Sequence, residues 1–205
     1  MKAYRASLLY FAPHSEGPAR AVLEEDGLLV VGPNAAGTQV VQAVGPYRDL
    51  VGQYPGVVVQ HWPGRIIAPG FVDLHVHYPQ TNVIGSPADG LLPWLENYTF
   101  PEEKRFAALE YSAQAATFFV AELLRNGVTT ALAFATSHPQ SVDALFTEAQ
   151  ARHMRLITGL CLMDRHAPAD LLNQGQGGVG ATEQSLRDTE ALIQRWHGTH
   201  RLGYA

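Results

Sequence analysis

Cysteine is nearly absent from the chain. Cys161 is the only one in 205 residues, which excludes an intrachain disulfide framework and a cysteine-based zinc finger. Lysine is almost as scarce. Lys2 and Lys104 are the only lysines among 14 basic residues, so a catalytic or modified lysine has few candidates. No apolar run reaches the ~18 residues that a membrane-spanning helix needs. Basic residues are in deficit: the formal net charge is -5, so there is no positive field to hold nucleic acid or an anionic membrane surface. Apolar residues, at 46% of the chain against 16% charged, supply ample core and exclude global disorder.

The opening Met1-Lys2-Ala3-Tyr4-Arg5, followed by Ala6 to Ala12, has the outline of a short signal peptide. No small-x-small cleavage site follows it, so a first β-strand is expected. Residues 1–67 continue as short β-like runs broken by Gly, Pro and Asn, and read as part of a small β domain. Arg20–Leu23 and Leu28–Val31 flank Glu25-Asp26-Gly27, which predicts a hairpin turn. Gln39–Val44 and Val57–Gln60 are further strands.

From residue 68 the rhythm becomes strand, then helix, repeated. Ile66–His77 reads as a strand interrupted at Pro69-Gly70, followed by a long loop to Pro101. Thr99 with Glu102 three residues on predicts a capping box for one helix over Glu102–Arg125. Asn126-Gly127 predicts its C-terminal cap. Strands at Val128–Ala135, Arg155–Met163 and Arg201–Ala205 alternate with helices at Pro139–His153 and Thr182–His197. This alternation implies βαβ units and a parallel sheet. A (β/α)8 barrel takes roughly 250 residues, and 68–205 supplies 138. The expected fold is α/β: a small β-sheet (sandwich) domain followed by the first half of a TIM-like barrel, with strands 1–4 and helices 1–3.

Chemistry concentrates in Pro69-Gly70-Phe71-Val72-Asp73-Leu74-His75-Val76-His77. Side chains alternate along a strand, so Asp73, His75 and His77 are expected on one face, with Leu74 and Val76 turned to covering helices. Two imidazoles at the C-terminal end of a barrel strand can hold one metal ion. Asp73, one step deeper, is placed to support the site. With nine histidines, roughly 0.4 His-x-His pairs arise by chance, so the spacing alone is weak. The context is stronger, because such a trio is costly to bury without partners.

The run Gly70 to His77 resembles the strand-1 signature of the metal-dependent amidohydrolase superfamily. Tyr78-Pro79-Gln80, Leu91 to Pro101, Asn126-Gly127-Val128-Thr129-Thr130, Phe134 to His138 and Leu162-Met163-Asp164 narrow the resemblance to its guanine deaminase branch. That resemblance implies zinc-dependent hydrolysis of guanine to xanthine and ammonia, in cytoplasmic purine catabolism, by a homodimer. It implies one Zn2+ ion, with His75 and His77 as two of its ligands and Gln80 on the purine. Further ligands, a proton-shuttling glutamate and an arginine are expected beyond residue 205, so the 205-residue chain alone is expected to be inactive and poorly soluble. Trp94, and less so Phe100, is a candidate to stack on a flat ring. His138 and Asp164 sit at strand ends as loop caps or further ligands. Cys161 reads as an inert core thiol. His14, His61, His153, His166, His197 and His200 read as solvated. The glycines from 175 to 180 match no phosphate-loop spacing. Two other readings stand beside this one: a related amidohydrolase acting on a triazine or pterin amine or halide, and an inactive truncated product.

Overall fold

In the computed structural model, which describes residues 1–14, 17–165, 167–172 and 180–205, the chain divides into two compact units, Met1–Pro69 and Gly70–Ala205. His166 and the glycine-rich stretch up to residue 179 lie outside the described residues.

The first unit is a four-stranded sheet of β1 (Lys2–Ala12), β2 (Arg20–Pro33), β3 (Gln39–Pro46) and β4 (Val59–Ile67), in the order β3-β2-β1-β4. β1 and β4 run parallel, and the other pairs are antiparallel. Ala3, Leu28 and Val30 form its buried core, covered in part by Tyr47 and Leu50 of the short helix α1 (Tyr47–Leu50). The expected hairpin turn at Glu25-Asp26-Gly27 is not there. β2 runs straight through it, taking up an extra residue opposite the Ala6–Leu8 step of β1. Gly27 permits this bulge, because a Cβ there would sit 2.5 Å from the Leu8 side chain. Asp26 is held across the ladder by Arg5, at 2.6 and 2.7 Å.

The second unit carries four parallel strands in chain order: β5 (Phe71–His77), β6 (Val128–Phe134), β7 (Arg155–Thr158) and β8 (Leu202–Tyr204). Between β5 and β6 lie a 3-10 turn (Tyr78–Val83), α2 (Leu91–Trp94), α3 (Phe100–Lys104) and α4 (Leu109–Arg125). Helix α5 (Pro139–Ala151) links β6 to β7, and α6 (Ala181–Trp196) links β7 to β8. This is the α/β architecture of half a (β/α)8 barrel. Ala131 and Ala133 of β6 are buried, and their small side chains let the sheet approach Phe119 and Val120 of α4 and Val142, Leu145 and Phe146 of α5 in one apolar core. α4 ends as its sequence predicts: Gly127 takes φ +81 and donates to the Leu124 carbonyl at 3.0 Å.

The helix expected over Glu102–Arg125 is broken in two. Arg105–Ala107 tightens to a 3-10 turn and Ala108 is extended. Phe106 is fully buried there, wedged edge-on against Tyr78 and Tyr111 at 4.9 and 5.1 Å. Its carbonyl accepts from the Ser112 hydroxyl at 2.9 Å, in place of a helical N–H. The capping box does not form either. Thr99 makes no cap bond, and Glu102 is drawn inward by Asn82, Tyr111 and Arg105. β7 is shorter than Arg155–Met163, because its pairing with β8 ends at Thr158.

Candidate active site

β5 is not a regular strand. Its ladder with β6 matches Asp73 to Ala131 but Val76 to Ala133 and His77 to Phe134, so five residues of β5 oppose four of β6. The Asp73 carboxylate fills this bulge by accepting from the His75 backbone N–H at 3.0 Å. Strict alternation therefore does not run from Asp73 to His77, and Asp73 bonds main chain rather than an imidazole. Leu74, expected under a helix, is 70% exposed, since β5 is an edge strand and only Val76 reaches the core.

Past the bulge the structure brings His75 and His77 together. Their Nε2 atoms lie 3.3 Å apart. Two nitrogens bound to one tetrahedral zinc at about 2.05 Å are separated by about 3.3 Å, so the pair already has the bite such an ion requires. Phe134, at the end of β6, stacks on the His77 ring at 4.6 Å and 10° and leans on His75 at 5.2 Å. Burial, and then the neighbouring His75, lower the pKa of His77, which favours the neutral imidazole that a metal needs. The Gln80 amide nitrogen lies 3.2 Å from His77 Nδ1. The oxygen and nitrogen of an amide exchange places by a simple flip, and with its oxygen on that side Gln80 would accept Nδ1–H and leave Nε2 as the lone pair. Among the described residues, no group of three or more His, Cys, Asp or Glu side chains gathers around a common point. The pair thus fits part of a coordination sphere, two donors of the right type and separation.

His75, His77 and Gln80 also border a cleft of about 600 Å³ along the free edge of β5, closed on its far side by Phe119 and Leu123 of α4. Trp94, half-buried on α2, and Phe100 do not line it. His138 stands at the start of α5, its backbone N–H on Thr136 Oγ1 at 3.1 Å and its Nε2 buried without a partner. Burial lowers its pKa. Asp164 is exposed beside Arg165. Cys161 donates its thiol to the Ala135 carbonyl, and burial pushes its pKa up to about 11. Two features escaped the sequence reading. Phe134 was legible only as an apolar strand end, though its position opposite His77 follows once β5 and β6 pair. Glu103, on α3, is only 6% exposed.

The amidohydrolase family model matches residues 66–203, which spans nearly all of the parallel half. The chain belongs to the amidohydrolase family. Guanine deaminase of Escherichia coli K12 is 44% identical over 182 residues, covering 88% of this chain and 39% of that protein. A solved structure of the E. coli guanine deaminase superposes with a TM-score of 0.86 at 40% identity, covering all of this chain and 46% of that one. The guanine deaminase of C. acetobutylicum, solved with guanine in its active site, gives a TM-score of 0.81 at 28% identity over 99% of this chain and 45% of its own. The chain thus spans less than half the length of the amidohydrolases it resembles.

Proposed function

We propose that this amidohydrolase chain carries the first-strand metal ligands and a purine contact of a zinc-dependent guanine deaminase, which hydrolyses guanine to xanthine and ammonia. The 3.3 Å separation of the two Nε2 atoms at the end of β5 carries the reading, and the similarity to guanine deaminases over the full chain supports it. His75 and His77 would hold the ion, Phe134 keeping their rings in place. Bound there, zinc supplies the Lewis acidity that makes hydroxide available near neutral pH. Gln80 has two tasks within reach. Its carbonyl can hold His77 Nδ1–H, and its NH2 then remains to donate to an acceptor on the purine edge. Asp73 fixes the bulge that aims His75. Trp94, on α2 between β5 and β6, is proposed as a wall of the purine site outside the cleft along β5. The same reading includes a cytoplasmic role in purine breakdown and a homodimer.

The test is guanine turnover by the complete gene product, followed as xanthine formation with zinc content measured in parallel. His75→Ala and His77→Ala should each lose bound zinc and reduce kcat/KM by more than the ~100-fold typical of changes outside the ligand shell. Gln80→Ala should lose about 10–100-fold. Turnover of triazines or pterins in preference to guanine would reject the substrate assignment. Retention of zinc by both histidine variants would reject the site.

A further inference from the structure

Gln80 can act only if the turn that carries it stays in place. That turn, Tyr78–Val83, belongs to no sheet, so side chains must anchor it. Tyr78 is fully buried and donates to the Ser112 carbonyl at 2.6 Å. The second anchor is two residues beyond Gln80. Asn82 donates one N–H to Glu102 Oε1 at 2.9 Å and the other to the Tyr111 hydroxyl at 2.8 Å. Glu102, 7% exposed, also accepts from Tyr111 Oη, and through Oε2 from Arg105 at 2.9 Å. The Arg105 guanidinium lies 4.0 Å above the Tyr111 ring. Both donors of the Asn82 amide and both carboxylate oxygens are therefore occupied. Burial alone would raise the pKa of Glu102, but the bonds from Tyr111, Asn82 and Arg105 hold it below the usual carboxylate range. Its hub, Glu102, is buried, while Asn82 and the Arg105 guanidinium reach solvent, and the charge-assisted bonds to that carboxylate give the network its strength. The network connects α3 and the start of α4 to the turn after β5.

We propose that Glu102 is a positioning residue: through Asn82 it fixes the 78–83 turn and so sets the Gln80 amide against His77 and the substrate. The proposal rests on the reading of Gln80 as a purine contact. It assigns Glu102 no contact with the reacting atoms. Its effect is on binding geometry, so it should appear in KM more than in kcat.

The experiment uses the complete gene product. Glu102→Gln removes the charge and keeps the shape, and should raise KM for guanine about 10- to 100-fold, as displacement of a positioned group does. kcat should change less than KM. Gln80→Ala combined with Glu102→Gln should be no worse in kcat/KM than Gln80→Ala alone, because both changes remove the same contact. Losses that multiply would show Glu102 to be merely structural, as would an unchanged KM. Hydrogen exchange supplies a readout without guanine. In Glu102→Gln the amides of residues 78–83 should exchange faster while those of β6 keep their protection. Equal loosening of both segments would overturn the proposal. Absence of guanine turnover in the unaltered protein would reject the deaminase reading, whereas an unaltered 78–83 exchange rate would reject the positioning role alone.

Discussion

Adjacent carboxylates in α3 behave in opposite ways because they face different surroundings. Glu102 is surrounded by donors and stays ionised. Glu103 has one oxygen buried without a partner, and burial pushes its pKa up to about 7. An unfolded glutamate titrates near 4.3, so the folded protein holds this proton more tightly. The stability that Glu103 contributes is fully present below about pH 4.3 and is lost as the pH rises through about 7. Glu103→Gln stays neutral throughout. It should match the unaltered protein near pH 4.5 and exceed it by up to about 3 kcal/mol at pH 8. Denaturant unfolding of both proteins across that range would check this, and parallel pH curves would reject the assignment of that proton to Glu103.

Single glycines decide how elements meet. Gly70 opens β5 directly against Thr129 of β6, where an added Cβ would lie 2.0 Å from Thr129 Oγ1 and 2.6 Å from its Cβ. Threonine is branched at that carbon and cannot swing clear. Gly70→Ala should therefore cost about 1–3 kcal/mol, and Thr129→Ala should restore only part of it, since its own Cβ remains. Thermal melts of the two single variants and the pair would show this. The order of strands and helices was legible, because alternation of period-2 and period-3.6 runs is a property of the sequence itself. So was the approach of His75 to His77, whose ring nitrogens lie 3.3 Å apart. The bulges in β2 and β5 were not legible. They arise from matching one strand to another, and Glu25-Asp26-Gly27 carries the same residues whether it turns or bulges. The break at Ala108 was hidden for a similar reason. The local pattern of Glu102–Arg125 is helical, and only the burial of Phe106 and the inward pull on Glu102 override it.

At the scale of the parallel half, apolar surface is left uncovered. Phe71, Val72 and Leu74 on the edge strand β5, with Leu109 and Phe118 on α4, are all more than half exposed. Exposed apolar side chains in this number drive association, and an edge strand offers unpaired backbone groups to whatever adds to it. The 205-residue polypeptide should self-associate as its concentration rises in sedimentation velocity. Leu74→Lys, which places a charge on that edge, should shift the distribution toward monomer. A species that stays monomeric at all concentrations would contradict this reading of the surface.

The single thiol of these 205 residues, just beyond β7, is a built-in chemical reporter. With a pKa near 11, Cys161 is about 0.1% thiolate at pH 8, against about a fifth for a free cysteine. A disulfide reagent should therefore modify it far more slowly than a free cysteine, and faster once its bond to the Ala135 carbonyl is lost. No other cysteine of the 205-residue chain competes for the reagent, so its colour change would report loosening between Cys161 and the end of β6 without any label being introduced.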